Sequence, residues 1–358
     1  MYKRQALEWF VHFGAVEDIL VDAHPHIGTN KLPKIITTIR EAIIEHGGEV
    51  HFDSKLTDIK IENNAINAIQ INDSDWKKYD NVILATGHSA RDIFYLLHKH
   101  NIKIEAKPFA IGVRIEHQQE LIDNIQYHSD GDNPYLPPAS YSLVQQVDGM
   151  GVYSFCMCPG GIIAPCATAR EEVVTSGWSP SKRYNPYGNS GIVVRVTPQV
   201  LPNYKEGDPF VCLDFQKSVE RDCWEAAGKT QAVPAQRMRD FVDGRVSKNF
   251  PKTSYQPGIV SVDLNKVLPD ILSKRLKKAF KAYGKKMKGY LTNDAVIHAP
   301  ESRTSSPVSI PREWETLEHV EVKGLYPCGE GAGYAGGIIS AAIDGINCVD
   351  KIVEKYKM

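Results

Sequence analysis

Apolar residues recur at helical spacing in four stretches of the chain, and alternate with polar ones in another. Leu7, Phe10 and Val11 predict a short amino-terminal helix that Gly14 ends. Ile35, Ile36, Ile39, Ala42 and Ile43 predict a helix over 32–46, capped by Thr29 or Asn30 and stopped by Gly47-Gly48. Leu276, Phe280 and Tyr283 form the apolar side of a Lys/Arg-rich helix over 274–288, whose basic face reads as solvated. Ile339, Ala342, Ile343, Ile346, Val349 and Val353 predict a helix over 337–356, with Ser340, Asp344 and Asn347 on its polar side. Val50 and Phe52 alternate with polar residues. Leu56, Ile59 and Ile61, then Ile66, Ile69 and Ile71, flank Asn63-Asn64 as a meander with a hairpin turn. Asp18–Asp22 reads as extended. Val82–Ala85 is a continuous apolar run of the kind buried on both faces of a sheet, and Thr86-Gly87 breaks it where open α/β sheets place ligands.

From Ala106 to His298 the texture changes to Pro- and Gly-rich loops between β-like runs, such as 110–115 and 191–196, with "SGWSPSKRYNPYGNSG" read as loop. The last sixty residues return to strand-then-helix character, opening on "KGLYPCGE". A mixed α/β fold (α+β in places) follows. Its expected divisions are 1–105 and 299–358 forming one domain, and 106–298 inserted as a mainly β second domain.

Composition narrows the chemistry. A chain of 358 residues with 42% hydrophobic residues can bury a large core. Lys+Arg 42 against Asp+Glu 43 leaves a net charge of -1, which argues against nucleic acid or an anionic membrane as partner. No apolar run approaches the roughly 18 residues of a membrane span, and a cytoplasmic location is the expectation. Seven cysteines, an odd number, fit reduced thiols. Cys156, Cys158 and Cys166 cluster without the C-x-x-C pairs or His partners that zinc or Fe–S ligation wants, so no metal is expected. The sequence contains no G-x-S-x-G elbow and no G-x-x-x-x-G-K-[ST] loop.

The strongest chemical signal is "GLYPCGEGAGYAGGIISAAIDGI", residues 324–346. Gly331–Gly336 spells G-x-G-x-x-G, yet a dinucleotide fingerprint also requires a second strand with an acidic residue about 20 positions on, and the sequence offers none. Six glycines between 329 and 345 still let backbone approach a flat ligand closely. The helix beginning near Gly337 aims unpaired N–H groups and a positive dipole end at whatever binds there. A flavin ring, which gathers negative charge on reduction, is one group that would benefit.

That stretch resembles the carboxy-terminal flavin motif of FAD-dependent dehydrogenases of the glutathione-reductase-2 type, in particular the "NAD(FAD)-utilizing dehydrogenase" group. "NVILATGHSARD", "PFAIGVRIEH" and "ESRTSSPVSIPR" are similar to the same group's pattern, and the resemblance spans roughly residues 18–350. It implies an FAD-dependent oxidoreductase, transferring hydride through the flavin to a small organic substrate, with NAD(P)H a possible donor. It implies that Glu330, between Gly329 and Gly331, contacts the ribityl chain, and that Gly336, Gly337 and Ile338 present N–H groups to the ring. Thr86 and Gly87 would lie near the adenosine-pyrophosphate half. Arg303, Thr304 and Ser305 would sit near the flavin, with Arg303 holding an anionic substrate. His298, just before that loop, is a candidate proton donor, whereas His24 and His26 read as structural.

One departure stands out. Such proteins open with strand, G-x-G-x-x-G and helix, and that unit is not found before Glu17; Gly149-Met150-Gly151 lacks the third glycine. The expectation is an incomplete FAD-binding domain, the rear part of a flavoprotein needing an amino-terminal segment or partner subunit. The alternative is a catalytically silent chain that binds no FAD alone. A tRNA-modifying flavoprotein is a third reading, and the near-zero net charge opposes it.

Overall fold

The computed structural model describes residues 2–22, 25–128 and 135–357. Along the chain run α1 (Tyr2–His12), α2 (Leu32–Glu45), β1 (Leu56–Glu62), β2 (Ala65–Ile71), β3 (Trp76–Lys78), β4 (Val82–Leu84) and α3 (Arg91–Lys99). There follow β5 (Glu105–Ala106), β6 (Phe109–Gln118), α4 (Gln119–Tyr127), β7 (Val144–Val147), β8 (Met150–Cys158), β9 (Ile162–Pro165), β10 (Thr175–Trp178) and β11 (Tyr187–Val196). Then come α5 (Val211–Ala226), β12 (Val233–Arg237), α6 (Met238–Asp243), β13 (Ile259–Ser261), α7 (Leu264–Val267), α8 (Asp270–Lys286) and β14 (Val296–Glu301). The chain closes with β15 (Val308–Ser309), β16 (Leu325–Pro327) and α9 (Ile338–Lys357).

The fold is mixed α/β, built around a seven-stranded sheet of order β13-β12-β14-β6-β11-β8-β7. Its long central strands pair in register over ten residues, Tyr187 opposite Gln118 through Val196 opposite Phe109. The two-residue period of a strand divides the faces of β6. Ile111, Val113 and Ile115 join Leu276, Ala279, Phe280 and Tyr283 of α8 in the main core. Arg114 and Glu116 point the other way and are nonetheless buried. Each large side chain buried at that interface contributes about 1.5–3 kcal/mol. A second core gathers Ile59 and Ile66 of the meander, Leu84, and Phe94 and Leu97 of α3 beneath β16. The meander turns at Asn63-Asn64, both with positive φ, a conformation that asparagine tolerates. Beside it, β16 and β4 form a two-stranded parallel pair.

Several local expectations are corrected. Glu17–Leu20 forms a 3-10 turn, not a strand, and buries Ile19 among Leu7, Phe10 and Ile35. Lys31, not Thr29 or Asn30, precedes α2, because Thr29 and Asn30 bond Ser179 and Ser181 of a distant loop. Val50 and Phe52 lie outside any strand, and Phe52 is exposed. The stretch 176–191 is strand at both ends, because β10 pairs with β9 and β11 with β6. Ile83 is exposed, so β4 is not covered on both faces. In α9 the polar-side residue Asp344 is buried while Val349 and Val353 are exposed. No helix is long and apolar enough to cross a membrane, among the described residues.

Candidate functional site

The carboxyl ends of β4 and β16 are adjacent, because the strands run parallel and Cys328 N continues the pairing by donating to Leu84 O at 3.0 Å. Two of the glycine segments singled out in the sequence therefore meet. A Cβ on Gly331 would stand 2.5 Å from Gly87 O, so backbone touches backbone there. Gly87 itself has φ +74, a conformation that favours glycine. The loop after β16 closes on itself, with Gly333 N donating to Glu330 O and Tyr334 N to Gly329 O, both at 3.0 Å. Ser306 Oγ and Ile310 N donate to Gly331 O and Ala332 O, which ties the loop to the segment after β14.

Glu330 points to the mouth of this junction, partly exposed, and its Oε1 lies 3.0 Å from His88 Nδ1. Lys107 stands on the same side: it packs beneath Gly333, burial lowers its pKa, and Glu330 opposes that shift. Cys156, exposed on β8, takes a strained positive-φ conformation. Beyond the loop the backbone is open. Gly336, Gly337 and Ile338 are exposed, and a Cβ on either glycine would meet nothing within 4 Å. Gly336 N is held by Ser340 Oγ at 3.2 Å, and α9, a helix of 20 residues, directs its positive end into that space.

Thus Gly87 and Gly331 meet at the strand ends, with Gly329 buried behind Glu330, while Gly336, Gly337 and Ile338 lie exposed further along the same loop. Thr86 is exposed at the end of β4. Thr304 is buried, its hydroxyl donating to Ala110 O at 2.6 Å, and Ser305 beside it is half-buried. Arg303 is not free to take an anion. Its Nε and Nη2 donate to the two oxygens of Glu220 at 2.9 and 3.0 Å, and Arg91 shares Glu220 and Glu172 with it. Burial, with Glu220 next, raises the Glu172 carboxyl. This buried quartet joins α3 to α5, a structural task. His298 is buried in β14 with Nε2 at 2.8 Å from Thr253 Oγ1, and burial lowers its pKa to about 3. His26 lies 3.1 Å from Pro180 O, and His24 lies outside the described residues.

Sequence reasoning missed His88 and Lys107. His88 immediately follows the Thr86-Gly87 break, and that adjacency was the available signal. Lys107 arrives from β-rich sequence with no local mark of its packing against Gly333.

Residues 108–304 match the family described as FAD-dependent protein, C-terminal domain-like. The chain is 39% identical over 356 residues to an uncharacterized protein of Clostridium beijerinckii, covering 98% of this chain and 66% of the relative. It therefore spans slightly less than two thirds of that relative's length. Among solved structures it is similar to a glycine oxidase from Bacillus cereus, at 13% identity and a TM-score of 0.34, covering 90% of this chain and 55% of that one. It is similar also to an oxidoreductase from Methanosarcina mazei, at 13% identity and a TM-score of 0.33, covering 90% and 54%.

Proposed function

Since the chain belongs to the FAD-dependent protein, C-terminal domain-like family, we propose that the junction at the ends of β4 and β16 holds the flavin end of FAD in an oxidoreductase acting on a small organic substrate. The observation that carries the reading is the open backbone at Gly336 and Gly337, set at the positive end of α9 and beside the partly exposed Glu330. When bound, FAD supplies two-electron hydride chemistry. The backbone N–H groups of Gly337 and Ile338 would hold negative charge at the ring edge. Glu330, steadied by His88, would accept hydrogen bonds from ribityl hydroxyls. Lys107 would add positive charge on the Glu330 side. NAD(P)H as the electron donor belongs to the same proposal.

The pyrophosphate half of FAD finds no equivalent cradle among the described residues. Among the described residues the β4–β16 pair has two strands, so the second edge of β4 is unpaired there, next to exposed Ile83. An apolar groove of about 560 Å³ also opens among α1, α2 and α9, lined by Trp9, Phe10, Phe13, Ile39, Ile43 and Ile346. We assign this edge and face to a strand–glycine-turn–helix segment, and the portion of the Clostridium relative outside the match is long enough to contain one. Without it, the chain is expected to be catalytically silent.

The test is reconstitution. The chain alone, incubated with FAD and passed over a desalting column, should emerge colourless. Co-produced with the unmatched portion of the relative, it should retain FAD and show flavin absorbance, as the full-length relative itself should. A colourless full-length relative would remove the flavin reading. Stoichiometric FAD on the chain alone would remove the requirement for the segment.

A further inference from the structure

Behind the glycine loop, β16 and α9 bring two thiols together. Cys328 directly follows β16 and Cys348 lies on the inner side of α9; both are buried and neither is in a disulfide. Their sulfurs and an Asp344 carboxylate oxygen all lie within 4.8 Å of one another. The carboxylate is already occupied. Asp344 accepts from Arg312 Nη2 at 2.6 Å, from Arg312 Nη1 at 3.0 Å and from Gly329 N at 2.7 Å. Arg312 Nη1 also lies 3.7 Å from Cys348 Sγ, and its guanidinium packs on the Tyr334 ring at 3.8 Å. A metal ion would have to expel this arginine and would still lack a fourth ligand among the described residues, which leaves the two thiols facing each other with Arg312 beside Cys348.

We propose that Cys328 and Cys348 are a reversible dithiol–disulfide couple, oxidised by a hydroperoxide. Of the seven cysteines, Cys348 alone has its pKa lowered, by the hydrogen bond with Cys328 against the cost of burial and then by Arg312; the same contact and burial push Cys328 up. Arg312 Nη1, 3.7 Å from Cys348 Sγ, favours a thiolate there, so Cys348 is the nucleophile and Cys328 the resolving thiol. The Cys348 thiolate attacks the peroxide, forming an S–O bond as the O–O bond breaks and hydroxide departs. Cys328 then attacks that sulfur, forming the S–S bond as water leaves with its proton. Two thiols lose two electrons, and hydrogen peroxide becomes two waters. The ring so closed contains the whole stretch from Gly329 to Asn347. Oxidation thus restrains the glycine loop and the start of α9 in one step.

The test uses the wild-type chain and needs no bound cofactor. After treatment with hydrogen peroxide, alkylation and proteolysis under non-reducing conditions, a peptide pair joining Cys328 to Cys348 is expected, lighter by two hydrogens than its parts and abolished by dithiothreitol. Cys212 and Cys223 should be recovered as free thiols after unfolding and alkylation. Recovery of Cys328 and Cys348 as free thiols or sulfonic acids, with any cross-link confined to exposed Cys156 and Cys166, overturns the proposal. So does stoichiometric zinc in the purified protein that a thiol reagent releases.

Discussion

Replacing Arg114 with methionine should cost about 3–5 kcal/mol of folding stability, read as a fall in the urea midpoint with the slope unchanged. Arg114 is fully buried in β6, and its Nε and Nη2 donate to the two oxygens of Glu301 on β14 at 2.7 and 3.0 Å. Its Nη1 donates to Asn189 Oδ1 at 2.7 Å and to Cys156 O at 3.3 Å. Burial works against the charge, but Glu301 more than offsets it and holds the guanidinium protonated. Methionine keeps most of the volume and leaves Glu301, 2% exposed, as a carboxylate without a cation. The Arg114→Met, Glu301→Met double variant should regain most of the loss, since neither partner then remains charged. A single variant as stable as the parent would show that water reaches Glu301.

Much of the fold was legible because its signals are local. The helices α2 and α8 follow from apolar spacing within one segment, and the meander from two alternating runs around Asn63-Asn64. Hidden features depend on partners far along the chain. Strand β10 exists through pairing with β9 and contact with the polar face of the large sheet, and nothing within Thr175–Trp178 announces that. Asp344 reads as a surface residue of α9 until Arg312, 32 positions upstream, arrives to neutralise it. The site divides the same way. The glycines stood out because close backbone approach requires glycine itself. The partners of Arg303 and His298, Glu220 and Thr253, were not legible because they are remote in sequence.

Gly331→Ala should destabilise the chain by about 3 kcal/mol, the upper end for an added methyl that finds no room. The new Cβ would lie 2.5, 2.7 and 3.0 Å from Gly87 O, C and N. All three are backbone atoms, so no side chain can swing aside, and relief requires parting the ends of β4 and β16. The backbone angle at Gly331 is no obstacle to alanine, which makes the collision the whole effect. Gly337→Ala provides the contrast, because its Cβ would meet nothing within 4 Å and its φ is not positive. In the chain alone it should lower the melting temperature only slightly, because Gly337 immediately precedes α9 and its carbonyl accepts from Ala341 N, a cap position where alanine is somewhat less favourable than glycine. In the FAD-loaded assembly it should weaken flavin retention at least tenfold, because the methyl stands where a ring would approach the backbone. Thermal denaturation of both variants, followed by flavin titration of the assembly, separates the two roles. A Gly331→Ala chain melting with the parent would mean that Gly87 and Gly331 are not in contact. A Gly337→Ala assembly that holds FAD undiminished would place the flavin elsewhere.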